Sequence, residues 1–285
     1  MVQRFERCPL CSRSVGAPVA VRRGFSFHRC VCGLALANEV AGAAATAVVS
    51  TDPDYYAQTS RRLARTQRAA ESIVVRRAAE YEKRLSTPVR RLLEIGPGAG
   101  PFAQAWLDRG VKWLGIEVDP VMAKGLRDRG WPVLEAEFTA VTDEQFGQAG
   151  GEARFDVISA SAVFEHVAQP HVFVARAFEL LRPGGLLHLD LPNDEALTAV
   201  FRRAFSRTDF GFLQPPHHLL AWRDETLVRV LAEGGFKQVE SFIRPNHDPL
   251  WGTPLGATDS LFHRSVYTVA DWLRRGSVLV GLAQK

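Results

Sequence analysis

The sequence of 285 residues contains no long hydrophobic run. A membrane-spanning helix needs about 20 consecutive apolar residues, and no uncharged stretch approaches that length. The start of the chain is charged, with Arg4, Glu6 and Arg7 where a secretory signal would place its apolar region. The sequence therefore predicts a cytoplasmic protein with no membrane partner.

Concentrated positive charge is also missing. The formal net charge is +4, but the 35 lysines and arginines are spread along the chain. Because no RNA-binding motif accompanies them, the composition argues against a nucleic acid partner. A hydrophobic content of 46% is ordinary for a globular protein. The length allows one large domain and a small appendage.

Cysteine is absent after position 32. The four cysteines, Cys8, Cys11, Cys30 and Cys32, form two close pairs separated by a stretch long enough for a small hairpin. Four clustered thiols in a reducing compartment favour a structural Zn²⁺ site, since four thiolates satisfy tetrahedral zinc. Disulfides or free thiols are the alternative. His28 is a further candidate ligand, because the second pair is spaced Cys-x-Cys instead of Cys-x-x-Cys.

Three glycines alternate with other residues in the segment 92–102, which reads LLEIGPGAGPF. The apolar residues before them suit a buried strand. Gly96, Gly98 and Gly100 allow a sharp turn and a close approach of the backbone to a ligand. Pro101 fits the first turn of a helix. The segment therefore predicts a strand, a ligand-binding turn and a helix.

The residues around this turn indicate which ligand it binds. A dinucleotide-binding fingerprint would need glycine at position 101, where Pro101 stands. Glu117, near the end of a second predicted strand over residues 113–118, is placed to accept hydrogen bonds from ribose hydroxyls. Glu94 would repel a pyrophosphate and suits a ligand with an ammonium group. S-adenosylmethionine has that ammonium and no phosphate, and we predict it as the cofactor.

These motifs resemble those of the class I S-adenosylmethionine-dependent methyltransferases. The family signature, acid-x-Gly-x-Gly-x-Gly, corresponds to residues 94–100, and the resemblance runs from about residue 89 to the C-terminus through 115–117, 136–138, 155–158, 165–167, 181–185 and 191–193. It implies a methyltransferase enzyme, with an acid near the adenine amino group. The predicted cofactor-binding residues are Glu94, Gly96, Gly98, Gly100, Glu117, Glu137, Phe138 and Ser161.

Alternating strand and helix patterns predict an α/β fold. We expect a Rossmann-like, seven-stranded, mostly parallel sheet with helices on both faces, plus a small N-terminal zinc-binding segment. The predicted strands after the glycine turn include 155–161, 186–191, 236–244 and 277–282. Helices are predicted at 172–181 and 223–234, the second of these as the last helix.

Three parts of the chain are predicted. Residues 1–50 form a zinc-ribbon-like segment and linker, residues 51–88 a helical cap, and residues 89–285 the methyltransferase domain with a lid insertion at about 194–222. In similar proteins the cap covers the cofactor pocket, which would place Tyr55 and Tyr56 near its rim, although simple helix packing is an equal interpretation.

Two stretches of the methyltransferase domain are candidates for the acceptor pocket. The lid contains phenylalanines among arginines. One interpretation is that the phenylalanine rings bind the acceptor. In the commoner pattern, the rings form a buried stripe along a helix and the arginines face solvent. Residues 245–264 read as an irregular loop that borders the acceptor pocket or packs on itself. The aromatic candidates in and beside these stretches are Phe201, Phe205, Phe210, Phe212, Trp251, His263 and Tyr267.

Three histidines are candidates for catalysis: His166, His217 and His218. Methyl transfer from a sulfonium depends mainly on in-line positioning, and a histidine is a suitable proton acceptor when the acceptor atom carries a proton. A similar Pro-His-His-Leu element occurs in the resembling family. Each histidine also has a structural interpretation, in which its ring holds a loop by bonding a backbone carbonyl.

Three classes of function fit the sequence. The favoured one is methylation of an O, N or C atom of a small-molecule acceptor in biosynthesis, such as a natural-product, sugar, peptide or lipid precursor. The second is an RNA methyltransferase, which the absence of an Asn-Pro-Pro-aromatic motif argues against. The third is a non-catalytic binding protein on the same fold. The N-terminal knuckle also offers a surface for forming an oligomer.

Overall fold

The computed structural model describes residues 4–22, 24–40, 70–149, 154–206, 210–215, 218–245 and 261–285. The predictions for the linker up to residue 50, for Tyr55 and Tyr56, for His217 and for Trp251 therefore lie outside the described residues. No helix among the described segments combines the length and the apolar character needed to cross a membrane.

The N-terminal segment forms a small antiparallel sheet. Its strands are β1 (Ala20–Arg22), β2 (Phe25–Arg29) and β3 (Ala35–Glu39), in that spatial order. A short strand from the predicted lid, β9 (Leu220–Ala221), pairs antiparallel with β3 and completes the sheet. We call residues 4–40 the ribbon. The ribbon and the lid thus share one sheet, which the sequence pattern does not indicate.

The larger sheet has seven strands: β4 (Arg91–Ile95), β5 (Lys112–Glu117), β6 (Val133–Glu135), β7 (Phe155–Ser161), β8 (Leu181–Pro192), β10 (Gln238–Arg244) and β11 (Val278–Gln284). Their spatial order is β10-β11-β8-β7-β4-β5-β6. β11 is antiparallel to both neighbours, and the other adjacent pairs are parallel. The predicted seven-stranded, mostly parallel sheet is confirmed.

Eight helices accompany these strands in the described residues: α1 (residues 70–85), α2 (Ala103–Asp108), α3 (Pro120–Arg127), α4 (Asp143–Gln148), α5 (Pro170–Leu180), α6 (Leu197–Phe205), α7 (Asp224–Glu233) and α8 (Leu261–Trp272). Side chains alternate between the two faces of a strand, so each face has its own core. One core contains residues of α1 and α2, and the other contains residues of α5 and α7. Helices therefore cover both faces, as predicted.

Three predictions about the C-terminal half were wrong. The helix that ends at Glu233 is not the last, because α8 follows it, and Tyr267 lies buried on α8 instead of beside a loop. β8 also begins at Leu181, before the predicted start at residue 186. There Phe155 pairs with Leu181 and Val157 pairs with Leu186, so residues 182–185 bulge out of the ladder.

The lid also differs from its predicted packing. On α6, Phe201 is 46% exposed and Phe205 is 78% exposed, so these rings do not form a buried stripe. Phe210 instead stacks on Phe27 of the ribbon, with ring centroids 5.5 Å apart. Arg203, expected in solvent, donates to the buried carboxylate of Asp194. Contacts with the ribbon decide which lid side chains are covered.

Candidate functional site

The glycine turn follows β4 directly and has left-handed backbone at all three glycines. The φ angles of Gly96, Gly98 and Gly100 are +64°, +56° and +67°. A Cβ on Gly96 would lie 2.5 Å from Val163, and one on Gly100 would lie 2.5 Å from Leu126. A Cβ on Gly98 would meet no atom within 4 Å. Gly96 and Gly100 are therefore also needed for packing, whereas Gly98 faces open space.

Glu117 holds this turn from the end of β5. One carboxylate oxygen accepts the Gly98 N–H at 2.8 Å, and the other accepts the Asp119 N–H at 2.9 Å. The side chain is buried, and burial raises the pKa of Glu117 while these backbone bonds oppose the rise. A carboxylate has about four acceptor positions, so further donors can bind it. Glu117 is thus a support of the turn as well as a candidate ligand contact.

Glu94 lies deeper than the sequence pattern suggests. Its carboxylate accepts the Trp113 indole N–H at 2.7 Å in the buried core behind the turn. Burial raises the pKa of Glu94, and the indole bond opposes that rise. A direct contact between Glu94 and a ligand ammonium stays a prediction.

A cavity of about 480 Å³ opens beside the turn, at the carboxyl ends of the parallel strands. Its walls include Gly96, Ile116, Glu137 and His166. The volume lies in the usual range for small-ligand sites, and this edge of an open α/β sheet is where ligands bind.

Two larger cavities also lie in the described part of the chain. One of about 740 Å³ adjoins Asn193 and has none of the predicted cofactor residues in its lining, and one of about 540 Å³ between α1 and α2 has Gly100 alone. The cavity of about 480 Å³ has three of them, Gly96, Glu137 and Phe138, and is the candidate site.

One side of this cavity is built by a short 3-10 helix, Phe138–Ala140. Glu137 caps it, with one oxygen accepting the Thr139 N–H at 2.8 Å and the Ala140 N–H at 3.1 Å. Phe138 is buried and stacks obliquely on Phe173. The two predicted cofactor residues Glu137 and Phe138 therefore line the same cavity as the glycine turn.

Ser161 belongs to a buried polar network beneath the site. Its hydroxyl donates to Asp190 at 3.0 Å, and Arg77 of α1 forms an ion pair with the same carboxylate at 3.0 Å. The second Asp190 oxygen accepts the Nε2–H of His188 at 3.1 Å, and the Tyr81 hydroxyl donates to Nδ1 of that ring. The network joins α1 to β7 and β8.

Charge in this network is balanced. Burial alone raises the pKa of Asp190, but the neighbouring His188, which donates a hydrogen bond to it, and the charges of Arg77 and Arg244 outweigh burial and hold that pKa below its ordinary value. Burial lowers the pKa of His188. No prediction from the sequence included this network, although a signal was present. Arg77 and Tyr81 are four residues apart on a helix, and His188 and Asp190 share one strand face.

Two of the three candidate catalytic histidines contact each other, and one of them lines the cavity. The rings of His166 and His218 lie edge to face, with centroids 4.9 Å apart. Nδ1–H of His218 donates to the carbonyl of Phe212 at 2.9 Å. His166 lines the cavity, and the third candidate, His217, lies outside the described residues.

Glu165 completes this group and was not among the predicted site residues. Its side chain is 2% exposed, and neither carboxylate oxygen has a hydrogen-bond partner among the described residues. Burial raises the pKa of Glu165 to about 8. One ligand atom each of Glu165, His166 and His218 lies within 4.8 Å of the others. The sequence did contain a signal for this group, because Glu165 directly precedes His166 and both follow a predicted strand closely.

The four cysteines come together in the ribbon. All four Sγ atoms lie within 4.8 Å of one another, with Cys8 and Cys32 at 3.6 Å and Cys11 and Cys30 at 3.4 Å. Tetrahedral zinc with Zn–S bonds of about 2.3 Å would place its sulfurs about 3.8 Å apart. The separations are far longer than a disulfide bond of about 2.05 Å. The four thiols could therefore hold a zinc ion.

His28 is not part of this cluster. Its Nδ1–H donates to the Gly16 carbonyl at 2.8 Å, and its Nε2 accepts from the Ser26 hydroxyl at 2.9 Å. Both ring nitrogens are engaged within the ribbon. Both sulfurs of the Cys-x-Cys pair lie in the thiol cluster, whereas His28 lies outside it.

A buried carboxylate joins the ribbon to the lid. Asp194, fully buried after β8, pairs with Arg29 of β2 at 2.8 Å, with Arg203 of α6 at 2.8 Å and with Arg223 at 3.4 Å. Nothing in the local sequence marks Asp194, because its three partners come from distant segments. The ion-pair cluster fixes the ribbon against the lid.

Comparison with known proteins agrees with the predicted resemblance. A family model described as a methyltransferase domain matches residues 60–241. The chain is 37% identical over 98 residues to an uncharacterized methyltransferase of Mycobacterium avium, covering 34% of this chain and 37% of that protein. It is 34% identical over 117 residues to a ubiquinone biosynthesis O-methyltransferase of Cereibacter sphaeroides, covering 39% and 46%. The match thus spans less than half of each relative.

Solved structures share the fold at low sequence identity. The plantazolicin methyltransferase BamL, in complex with a triazolic desmethylPZN analog and SAH, has a TM-score of 0.55 and 14% identity, covering 82% of this chain and 91% of that one. A SAM-dependent methyltransferase from Archaeoglobus fulgidus has a TM-score of 0.51 and 17% identity, covering 75% and 94%. At these identities the likeness is one of fold.

Proposed function

Because the chain belongs to the methyltransferase-domain family, we propose that it transfers a methyl group from S-adenosylmethionine to a hydroxyl of a small-molecule acceptor. The observation that carries the proposal is the cavity of about 480 Å³, whose lining includes both Gly96 of the glycine turn and His166. We propose that the cofactor binds beside the glycine turn and that the acceptor binds beside His166, in the same cavity.

On the cofactor side, five residues are proposed to hold S-adenosylmethionine. Gly96 and Gly98 give the ligand access to the backbone, and Glu117 and Glu137 accept hydrogen bonds from ribose hydroxyls and from the adenine amine. Phe138 packs on the adenine ring.

Three further residues are proposed to support this side from behind. Gly100 shapes the turn, Glu94 holds the Trp113 indole, and Ser161 bonds Asp190 beneath the cavity. These residues therefore act on the cofactor through the backbone and side chains that contact it.

On the acceptor side, Glu165, His166 and His218 are proposed to prepare the acceptor hydroxyl for attack. In-line displacement at the sulfonium carbon breaks the sulfur–methyl bond, forms the oxygen–methyl bond and releases the hydroxyl proton. A polar group that takes this proton or makes it more acidic accelerates the step. The described part of the cavity wall includes one histidine, His166.

A hydroxyl acceptor is favoured by two observations. The paired imidazoles of His166 and His218 suit an acceptor atom that must lose a proton. The Cereibacter sphaeroides relative, which is named an O-methyltransferase, matches this chain at 34% identity.

In the ribbon, the four cysteines are proposed to hold a structural zinc ion. The mutual approach of their sulfurs within 4.8 Å supports this proposal. Zinc would take no part in methyl transfer there, because four thiolates leave no coordination position open.

Calorimetric titration with S-adenosylmethionine and S-adenosylhomocysteine tests the cofactor, with NADH as the parallel ligand. Both adenosyl ligands are expected to bind, and NADH is not. Glu117→Ala should weaken binding roughly 10- to 100-fold, since it removes about 1.5–3 kcal/mol of charge-assisted hydrogen bonding.

Glu135→Ala is the matched control, because Glu135 is an exposed carboxylate on the neighbouring strand, paired with Arg127. Its affinity should equal that of the wild type. Binding of NADH alone, or unchanged affinity in Glu117→Ala, would contradict the proposed cofactor site.

A further inference from the structure

We propose that Glu165, His166 and His218 form a second metal site, which takes a divalent transition-metal ion such as Zn²⁺ at the acceptor side of the cavity. This inference rests on the proposed function and states how the acceptor side works. It concerns a different site from the four thiols of the ribbon.

Glu165 is a buried carboxylate without a hydrogen-bond partner among the described residues. Its side chain is 2% exposed, and among the described residues neither of its oxygens accepts a hydrogen bond. A buried carboxylate without partners costs several kcal/mol, so native structures pair such groups with donors or with an ion. A positive ion between Glu165 and the two histidines would supply the missing partner.

The chemistry of the three side chains suits a metal ion. One carboxylate and two imidazoles are a common three-ligand set for zinc and other divalent transition metals. Their ligand atoms lie within 4.8 Å of one another. Bonds of about 2.0–2.2 Å would bring them roughly 3–3.5 Å apart. His166 is exposed, so a rotation of its side chain can close the difference.

Backbone contacts hold the ligands in place. Nδ1–H of His218 donates to the Phe212 carbonyl at 2.9 Å, and this tautomer has its lone pair on Nε2, the nitrogen that a metal would bind. The Leu219 N–H donates to the backbone carbonyl of Glu165 at 3.1 Å. This bond ties the segment that carries His218 to the loop after β7. Two segments distant in sequence are therefore held together as one site.

The position of the proposed metal site indicates its role in the reaction. His166 lies in the wall of the cavity that also contains Gly96 and Glu137. Three protein ligands leave a coordination position open, unlike the closed set of four thiolates in the ribbon. An acceptor hydroxyl bound at that position would lose its proton more readily, because the ion stabilises the alkoxide.

Metal content of the full chain tests the inference. Protein purified from zinc-supplemented medium and dialysed against metal-free buffer should contain about two zinc ions per chain, one in each site. Glu165→Gln, which keeps the side-chain volume, and His166→Ala, at an exposed position, should each lower the count to about one. Glu137→Gln is the matched control, because Glu137 lines the same cavity outside the cluster, and it should keep both ions.

Cobalt spectra distinguish the two sites. Co²⁺ bound by thiolates gives sulfur-to-metal charge-transfer absorption, whereas Co²⁺ in a nitrogen and oxygen site gives only weak visible bands. The Glu165 and His166 variants should lose the weak bands and keep the charge-transfer band. Cys11→Ser should change the charge-transfer band alone.

A wild-type count of one, with a cobalt spectrum that belongs entirely to thiolates, would overturn the inference. So would a count of two that both variants retain. Neither result depends on cofactor binding, which the S-adenosylhomocysteine titration measures separately. A protein that binds S-adenosylhomocysteine with a single metal site would keep the proposed function and lose the second ion.

Discussion

The seven-stranded sheet and the ribbon are stabilised in different ways. In the sheet, β7 and the central part of β8 bury nearly every side chain, and helices on both faces complete two large apolar cores. In the ribbon, β1 is only partly buried, and the apolar residues Leu34 and Leu36 belong to a core that also contains Leu220 and Trp222. Phe27, Ala35 and Ala37 form a small cluster with Leu213 and Ala221 of the lid, so the ribbon as described has no core made of its own residues alone.

A few contacts at defined points add to these small clusters. The four thiols gather at one end of the ribbon, Asp194 binds Arg29 from outside it, and β9 extends its sheet. A segment of about 40 residues rarely folds alone without metals or disulfides. The sheet is thus stabilised by many small apolar contacts, whereas the ribbon depends on a few strong ones. Single substitutions should therefore destabilise the ribbon without destabilising the seven-stranded sheet.

The largest effect should come from the thiols. Cys8→Ser is expected to abolish zinc binding in the ribbon and to unfold it, because structural zinc contributes on the order of 10 kcal/mol to such segments. Hydrogen exchange should then lose protection across β2 and β3 while β4 keeps its own. Val31→Ser is the control, since Val31 lies between the cysteines and is 78% exposed. Equal loss of protection in β4 would show that the two parts unfold together.

A smaller effect is expected at the junction. Asp194→Ala leaves three arginines facing one another without their carboxylate, which should cost about 3 kcal/mol. Urea unfolding would measure the loss, and hydrogen exchange should place it in β2 and α6. Glu195→Ala should change stability by less than about 1 kcal/mol, because Glu195 is a partly exposed partner of Arg223. Equal losses in both variants would contradict the role of Asp194.

The smallest effect concerns pH and belongs to the sheet. Burial lowers the pKa of His188, whose unfolded value is about 6.5. Below that pH the unfolded chain binds a proton that the folded chain does not, so stability falls as pH falls. This contribution reaches at most about 1.4 kcal/mol per pH unit. Asp190, whose folded pKa is lowered, affects stability only below about pH 4.

His188→Asn should remove this contribution. The difference in unfolding free energy between wild type and variant, measured in urea from about pH 7 to about pH 5, should shrink as the pH falls. The difference is the right quantity, because the raised pKa of Glu165 gives the wild type an opposite slope in the same range. His171→Asn removes a partly exposed imidazole and serves as the control. A constant difference across the range would rule out a neutral, buried His188.

Prediction from the sequence succeeded best where the chemistry is local. The strand before Gly96, the turn itself and the four cysteines were all readable, because each depends on residues close together in the chain. Prediction was poorer in the C-terminal half, where α8 was missed and β8 was begun too late. Strand and helix patterns are ambiguous in short apolar segments, and packing against neighbours decides them.

The sequence by itself determined the sheet, the glycine turn and the cysteine pairs, since apolar periodicity, glycine and closely spaced thiols act over a few residues. Only the tertiary structure decided what lies behind and beside the cavity. It placed Glu165 with His166 and His218, and Asp194 with its three arginines. A buried charge is stabilised by partners that can come from anywhere in the chain, so its role becomes visible only when the fold brings those partners together.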